Sequence, residues 1–283
     1  MNDQVKTWAV IASHYIGECF DHCQHLLDQD NSTLDSSVRF ISTQLYLDCH
    51  FSSESSLILI QEGKEWDADI INRSIIEGTV KYLYMIACDD VSKKERAHEY
   101  WYILPKFSAI KRHQRAKDLL DAINGYDDSN WQAIKEQLLS EEKIAEFRSG
   151  LNRNERKAIE QKWSFSEIVN EFAKSKQDGL EMLVHLAYNY GMSSHLIHKD
   201  GDGVGMVWDR CMREPKRQMA VKLGHSSRII SDICVLSRLR SMYLMKACSE
   251  DYKVLSELET KYKHLFSELA MAIENFNKVE YGT

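Results

Sequence analysis

Residues 67–87 of this 283-residue chain read DADIINRSIIEGTVKYLYMIA. Isoleucine, valine, leucine and tyrosine recur there at spacings close to the period of an α-helix. They cover a wide face, and a wide apolar face is typical of a helix that is packed on several sides. The stretch therefore predicts the central helix of a helical bundle.

The remainder of the chain carries the same helical period. Only two prolines and twelve glycines occur, far below ordinary usage, and both residue types disfavour helix interiors. We therefore predict the all-α fold class, with eight or nine helices in a single domain over residues 1–283. Its core lies at about 65–210, with N-terminal helices at 3–62 and C-terminal helices at 216–278 packed on that core. Serine–glutamate pairs at 92 and 95 and at 164 and 167 match the capping box that opens helices.

Composition restricts the functional classes. The formal net charge of −7 argues against a protein that binds nucleic acid over its whole surface, but it leaves room for local basic patches. The seven cysteines are odd in number and scattered, as expected of reduced thiols. The start of the sequence does not resemble a secretory leader, and no apolar run approaches the ~18 residues that a membrane span needs. We expect a cytoplasmic protein without membrane contact.

Two segments concentrate positive charge. Lys111, Arg112 and Arg115 belong to a basic run at 106–117, and residues 210–240 hold eight lysines and arginines against two acidic residues. One interpretation is a surface that faces the phosphates of RNA. The other is a set of solvated helix faces, balanced in three dimensions by the acidic segments.

A charged pair interrupts the apolar central helix. Arg73 and Glu77 are one turn apart, and burying such a pair is costly unless other polar groups engage it. Further along the chain, Tyr190, Ser194 and His198 repeat at every fourth position, which places them on one helix side. If the two stripes face each other, they form one polar centre. The alternative is two unrelated stripes that face water.

The segment after this second stripe, HKDGDGVG at 198–205, predicts a glycine loop that releases the chain from the helix. His195, His198, Asp200 and Asp202 lie at this junction. Metal-dependent hydrolysis through these four is the weaker hypothesis, because a metal site needs three convergent ligands and the sequence shows only one or two elements. We expect no metal and no cofactor.

These motifs resemble a bacterial family, domain of unknown function 5677. Its members combine an Arg-Ser-x-x-Glu helix, here Arg73 to Glu77, with a Tyr-x3-Ser-x3-His helix and a His-x-Asp exit, here Tyr190 to Asp200. The resemblance covers about residues 65–210. The activity of that family is not established, so the resemblance supports the constellation of residues more than any reaction.

The arrangement also resembles helical nucleases of the higher-eukaryote-and-prokaryote nucleotide-binding (HEPN) type, which implies an HEPN-like core and metal-independent cleavage of RNA. In such a reaction a 2′-hydroxyl attacks the adjacent phosphate with the help of an acid–base group and a cation. His198 is then the acid or base and Arg73 the phosphate clamp. Ser194 or Tyr190 positions the substrate, and Glu77 orients Arg73 or His198.

The HEPN spacing places an arginine or asparagine four to six residues before the histidine, and here only Asn189 with His195 meets it. Either His195 or His198 is therefore the functional histidine. The resemblance further implies a homodimer, a toxin-type endoribonuclease in anti-phage defence, and a protein partner or antitoxin. The alternative is a non-catalytic helical binding or effector module whose Arg-Glu-His cluster is structural. Solvent access to the polar centre distinguishes the two hypotheses.

Overall fold

The computed structural model describes residues 2–28, 32–177 and 179–282, and those ranges contain helices and connecting turns but no β-strand. The α-helices are α1 (Asn2–Asp21), α2 (Ser36–Gln61), α3 (Glu65–Ile86), α4 (Asp90–His98), α5 (Leu104–Ile123), α6 (Gln132–Lys135), α7 (Glu141–Arg148), α8 (Arg153–Lys162), α9 (Phe165–Lys174), α10 (Leu183–His198), α11 (Gly201–Cys211), α12 (Pro215–Ala247), α13 (Lys253–Lys261) and α14 (Lys263–Tyr281). Two 3-10 turns (Gln24–Leu27 and Ser129–Trp131) and a π-helical segment (Glu99–Ile103) complete the described part of the chain.

The all-α prediction is confirmed, but the predicted number of helices was too low. Leaving out the single turn α6, thirteen α-helices of eight or more residues occur in the described ranges. The excess arises where the sequence supplies local caps within segments that we expected to be continuous. Asn152, for example, forms a capping box with Glu155 and so starts α8 within the charged stretch of about residues 131–157, which the sequence pattern alone predicts as one helical segment.

Helix caps were predicted with mixed success. Ser164 caps α9 by accepting a hydrogen bond from the Glu167 amide, as expected. The predicted cap at Ser92 is wrong, because α4 begins earlier, after Asp89, whose carboxylate accepts from the amides of Val91 and Ser92. A carboxylate at this position both accepts from free amides and interacts favourably with the helix dipole.

The helix α3 lies at the centre of the packing, as its apolar face predicted. The side chains of Ile75, Ile76, Val80 and Leu83 are fully buried, and α2, α9, α10 and α12 all pack against α3. The long helix α12 also packs against α1 and α14. The surfaces along which α3 and α12 pack are largely apolar. Polar side chains that are buried between the two helices therefore need hydrogen-bond partners within the protein.

One buried cation ties three helices together near the middle of α12. Arg240 is fully buried, and it donates hydrogen bonds to Thr79 on α3 and Ser53 on α2 at 2.6 and 3.4 Å. The hydroxyl of Tyr82 donates to the Arg240 carbonyl at 3.3 Å. Among the described residues no carboxylate pairs with this guanidinium, so hydroxyl groups and the ring of Tyr46 provide its surroundings.

No helix within residues 2–28, 32–177 and 179–282 combines the length and the apolar character that crossing a bilayer requires. The longest, α12, has 33 residues but carries charged side chains along its length.

Gly224 lies inside α12 and lets α14 approach closely. A β-carbon on this residue would lie 2.7 Å from the Cβ and 2.9 Å from the Cγ of Phe276. We expect Gly224→Ala to lower the free energy of unfolding by about 1–3 kcal/mol, because overpacking a core contact forces the backbone to shift. Urea denaturation followed by circular dichroism measures the change.

Gly17 supplies the matched control. It also lies inside a helix, α1, but a β-carbon there would meet nothing within 4 Å. Gly17→Ala should therefore raise the free energy of unfolding by about 0.5–1 kcal/mol, since alanine favours the helix. Equal effects from the two substitutions would show that the close contact with α14 does not govern this position.

Candidate functional site

The charged pair on α3 meets the tyrosine of α10, which is one of the two arrangements that the sequence left open. The guanidinium of Arg73 donates to the hydroxyl of Tyr190 at 2.9 Å and lies 4.2 Å from its ring centroid. The same hydroxyl donates to the Glu77 carboxylate at 2.9 Å, which also accepts from Lys81 at 2.6 Å. Phe165 stacks on the tyrosine ring with a centroid distance of 3.8 Å. These contacts bind α3, α9 and α10 together.

The electrostatics of this cluster favour a stable network of hydrogen bonds. Burial, together with the Glu77 carboxylate, raises the pKa of Tyr190 to about 12, so its hydroxyl remains a donor. Burial alone would raise the pKa of Glu77, but the hydrogen bond and charge of Lys81 reverse that effect and lower it. Glu77 is therefore ionised at neutral pH, and both of its carboxylate oxygens accept hydrogen bonds.

Two of the five side chains expected in this centre do not join it. His198 is exposed at the last position of α10 and has no hydrogen bond or ion pair with any described residue. It follows Tyr190 by eight residues, which is about 12 Å along the helix axis. Ser194 is partly buried and likewise has no hydrogen-bond partner among the described residues. The structure thus brings Arg73, Glu77 and Tyr190 together and leaves the imidazole of His198 apart.

The segment that we expected to be a glycine loop is mostly helix. The chain turns at Lys199, in a left-handed conformation with φ 51°, and α11 begins at Gly201. Asp200 caps α11 by accepting from the Gly203 amide at 3.0 Å. Gly203 is required for close approach, because a β-carbon there would lie 2.3 Å from the His195 carbonyl oxygen. Gly203 therefore allows the tight turn between α10 and α11.

His195 pairs with Asp200 at this corner, with Nδ1 and a carboxylate oxygen 2.7 Å apart. The hydrogen bond and the charge of Asp200 raise the pKa of His195. The ligand atoms of these two residues and of Asp202 lie within 4.8 Å of one another, so the three could hold a divalent cation. His198 is not part of this group. All three side chains are in contact with solvent, and Asp200 already serves as a cap.

A second polar centre, which the sequence did not lead us to expect, lies between α3, α10 and α12. Asp69 of α3 accepts from Nε2 of His225 at 3.0 Å and pairs with Arg228 at 2.9 Å, both on α12. The hydroxyl of Ser193 on α10 donates to the same carboxylate at 3.0 Å. Ser193, the neighbour of the predicted Ser194, therefore supplies the hydroxyl that reaches a polar centre.

The protonation of this centre follows from its charges. Burial alone would raise the pKa of Asp69, but the hydrogen bond from His225 and the charge of Arg228 hold it well below its usual range. Burial lowers the pKa of His225, and the carboxylate offsets this only in part. At neutral pH the pair is therefore an ionised Asp69 beside a neutral imidazole.

The tautomer of His225 decides what this imidazole can do. A carboxylate only accepts hydrogen bonds, so Nε2, which faces Asp69, carries the proton and Nδ1 has a free lone pair. His225 is 8% exposed, and its Nδ1 is buried without a hydrogen-bond partner in the described structure. A buried, unpaired acceptor is costly in a folded protein, and a catalytic role is one of the explanations for such an atom.

These residues line a cavity of about 290 Å³. Asp69, His225 and Arg228 form one part of its wall, and Arg210 of α11 forms another. Asn189, one of the residues predicted from the HEPN spacing, lines the same cavity. The cavity is smaller than a typical drug-binding pocket of ~300–1,000 Å³, which suits a single nucleotide unit rather than a duplex.

Two strongly exposed aromatic side chains complete the cavity wall and place its mouth at the surface. Tyr188 and Tyr281 are 75% and 70% exposed and line the cavity. Exposed tyrosines at a pocket mouth can stack against planar groups of a ligand.

Of the two arginines that line the cavity, Arg228 is paired with carboxylates and Arg210 is not. Arg210 is half-buried, with its Cζ 5.3 Å from the centroid of the Trp66 ring. It has no ion pair or hydrogen bond with any described residue. Burial and the neighbouring Arg213 and Arg228 lower its pKa, yet a guanidinium remains charged at neutral pH. An unpaired guanidinium beside a cavity is a natural site for an anion.

The three basic residues predicted on α5 lie in a different part of the molecule. Lys111 forms an ion pair with Glu160 of α8, whereas Arg112 and Arg115 are exposed and have no ion-pair partner in the described ranges. None of them lines the cavity.

Asp232 adds a second carboxylate to the buried centre. It shares Arg228 with Asp69, at 3.3 Å, and accepts from Asn72 at 3.2 Å. Burial raises its pKa from 3.8 to about 6, against the opposing charge of Arg228. The pKa of Asp232 is higher in the folded than in the unfolded protein, so the folded protein binds this proton more tightly. The resulting stabilisation is complete below pH ~4 and is lost as the pH rises through ~6.

We therefore expect Asp232→Asn, which keeps the shape but cannot ionise, to remove this loss. The free energy of unfolding of the variant minus that of the wild type should increase by about 1–3 kcal/mol between pH 4 and pH 7, at ~1.4 kcal/mol per pKa unit. Urea titrations at intervals of one pH unit measure the difference. A difference that does not vary with pH would show that Asp232 titrates normally.

Comparison with known proteins gives one match. The model of a family described as "Family of unknown function (DUF5677)" matches residues 39–210. Neither the curated proteins nor the solved structures give a significant match. The matched range contains Asp69, Asn189 and Arg210 but ends before His225 and Arg228. Because this range exceeds half of the 283 residues, the chain belongs to the DUF5677 family, whose function is unknown.

Proposed function

We propose that this protein is a metal-independent ribonuclease whose active site is the cavity between α3, α10, α11, α12 and α14. The observation that carries the proposal is the free Nδ1 of the neutral His225, held in place by Asp69 beside the cavity. A neutral imidazole with an oriented, unshared lone pair is the group that removes a proton from a hydroxyl in general-base catalysis.

The proposed chemistry is attack of a ribose 2′-hydroxyl on the adjacent phosphorus. Nδ1 of His225 accepts the 2′-hydroxyl proton while the 2′-oxygen forms its bond to phosphorus. The bond from phosphorus to the 5′-oxygen breaks, and the departing oxygen takes a proton from water. The products are a 2′,3′-cyclic phosphate and a free 5′-hydroxyl. Asp69 stabilises the imidazolium that forms, as the carboxylate does in hydrolase triads.

Arg210 is the proposed phosphate ligand. The phosphorane formed during attack carries more negative charge than the substrate, and a guanidinium can bind two of its oxygens at once. Arg228 lines the same cavity but is committed to Asp69 and Asp232. Its role is to keep the pKa of Asp69 low, and the stabilisation of the phosphorane falls to Arg210.

The aromatic mouth supports single-stranded RNA as the substrate. Tyr188 and Tyr281 expose most of their rings beside the cavity. Bases stack on such rings only where they are unpaired, and each stacked base contributes about 1–3 kcal/mol to binding. A cavity of about 290 Å³ also favours one unpaired nucleotide over a duplex.

This proposal keeps the reaction expected from the sequence and moves its centre. The acid–base role passes from His198 to His225, because His198 lies at the exposed end of α10. The phosphate-binding role passes from Arg73 to Arg210, because Arg73 is bonded to Tyr190. A toxin-type role in anti-phage defence, a homodimer and an inhibiting protein partner remain predictions from the HEPN resemblance.

One observation favours a second candidate function, a non-catalytic module that binds an anionic ligand. The Nδ1 atom of His225 is shielded from solvent, so a substrate reaches it only if neighbouring side chains such as Trp66 or Arg210 move. In this alternative Asp69, His225 and Arg228 fix the packing of α3, α10 and α12, and Arg210 alone binds the ligand.

Cleavage of a fluorescent single-stranded RNA in excess EDTA tests the proposal. We expect cleavage by the wild type, a loss of at least ~100-fold in His225→Ala because the general base is absent, and a loss of ~10- to 1,000-fold in Arg210→Ala. Arg148→Ala is the matched control, since Arg148 is exposed on α7 and has no ion-pair partner in the described ranges. Circular dichroism of each variant checks that a loss of activity does not come from a loss of folding. His225→Gln, a polar replacement of similar size, serves as the second variant at this position.

The companion variants His198→Ala and Arg73→Ala distinguish the two sets of residues. Activity that survives in both and disappears in His225→Ala places the chemistry in the cavity. Full activity in His225→Ala rejects this site. A wild type that binds RNA or phosphate through Arg210 without cleaving RNA supports the non-catalytic alternative.

A further inference from the structure

A second groove, separate from the cavity, lies between α5 and α8. Its α8 side is formed by Arg153, Arg156 and Lys157, and its volume is about 200 Å³. These three residues have the i, i+3, i+4 spacing that places side chains on one face of a helix. Lys111 of α5 lines the opposite side. The groove thus brings together basic residues from segments about forty positions apart.

The groove is positively charged in a protein that is negatively charged overall. Of the ionic residues that line it, only Lys111 and Glu160 pair with each other. Arg153, Arg156 and Lys157 have no ion-pair partner among the described residues. The lining therefore leaves three unneutralised cations, although the whole chain carries a formal charge of −7. Like charges held this close repel one another, and a bound anion relieves the repulsion.

One further basic side chain lies on the groove face of α5, because Arg115 follows the groove-lining Lys111 by one turn. Arg112 and Arg115 are both exposed and have no ion-pair partner in the described ranges. The floor of the groove is apolar, because Phe107 and Ile110 line it. A line of cations above an apolar floor is the arrangement with which proteins follow a single nucleic-acid strand, by contacting its phosphates and its bases separately.

We propose that this groove binds the phosphate backbone of single-stranded RNA outside the cavity. The inference rests on the proposed function for the identity of the ligand. Side chains at i, i+3 and i+4 lie ~5–6 Å apart, so Arg153, Arg156 and Lys157 can neutralise neighbouring phosphates of an extended strand. Arginine at two of the three positions favours phosphate, whose oxygens accept paired hydrogen bonds from a guanidinium.

Fluorescence anisotropy with a 20-nucleotide oligouridylate tests this inference. The variant Arg153→Gln/Arg156→Gln/Lys157→Gln should bind the RNA ~10- to 100-fold more weakly in low salt. The slope of log K against log salt should become less negative by ~2, because three phosphate contacts to a single strand contribute ~0.7 each. The matched control, Lys6→Gln/Lys174→Gln/Lys263→Gln, also removes three charges, at exposed positions on other helices. It should change the affinity less than ~2-fold.

Cleavage of a dinucleotide separates this inference from the proposed function, because a dinucleotide contains one scissile phosphate and no further strand that could lie in the groove at the same time. The groove variant should cleave the dinucleotide at the wild-type rate and the long RNA more slowly. A wild type that cleaves neither the dinucleotide nor the long RNA overturns the ribonuclease proposal and leaves the binding result intact. An unchanged affinity and salt slope in the groove variant overturns the groove. Displacement of the RNA by polyglutamate at equal charge concentration also overturns it, since the groove would then recognise acidic peptides.

Discussion

The structure depends on one buried carboxylate. Asp69 lies on the central helix α3, surrounded by apolar residues, and an isolated charge in such a place would be prohibitively costly. Its two oxygens are satisfied by His225, Arg228 and Ser193, which come from α10 and α12. These bonds fix the register of three helices at the point where the cavity forms. Removing Arg228 would leave the carboxylate charge uncompensated, and removing His225 or Ser193 would deprive the carboxylate of a hydrogen bond. The same residues therefore determine both the packing of the helices and the proposed chemistry.

The two polar networks of α3 differ in what they leave free. In the cluster of Arg73, Glu77 and Tyr190, the hydroxyl both donates and accepts, and Lys81 completes the carboxylate. That cluster presents no free base to a ligand. Nε of Arg73 in that cluster is a buried donor without a partner, whereas the unpaired atom of the Asp69 centre is an acceptor, Nδ1 of His225. The guanidinium of Arg210 has no hydrogen bond or ion pair with any described residue and lies over the Trp66 ring. Unsatisfied groups beside a cavity indicate a ligand more strongly than satisfied groups do.

The sequence predicts helices well because helical periodicity and capping are local. The apolar face of α3 followed from a pattern within one segment. The contact of Arg73 and Glu77 with Tyr190 did not, because the sequence showed two polar stripes and left open whether they face each other or water. The Asp69 centre could not be predicted from such a local pattern either, because its histidine lies 156 positions further along the chain. Two local signals were present: Asp69 within an apolar stretch, and His225 and Arg228 one turn apart on an apolar helix. Only the packing of α3 against α12 shows that these belong together.

The protonation state of His225 tests the central claim most directly. Long-range proton–nitrogen NMR spectra of ¹⁵N-histidine-labelled protein distinguish the two neutral tautomers and the imidazolium, and His225→Gln identifies the relevant signal among the eleven histidines. We predict a neutral ring at pH 7 with the proton on Nε2, and a pKa below the ordinary 6.5. An imidazolium at pH 7, or a neutral ring with its proton on Nδ1, would contradict the account, since in neither form does Nδ1 have a lone pair that can accept a proton.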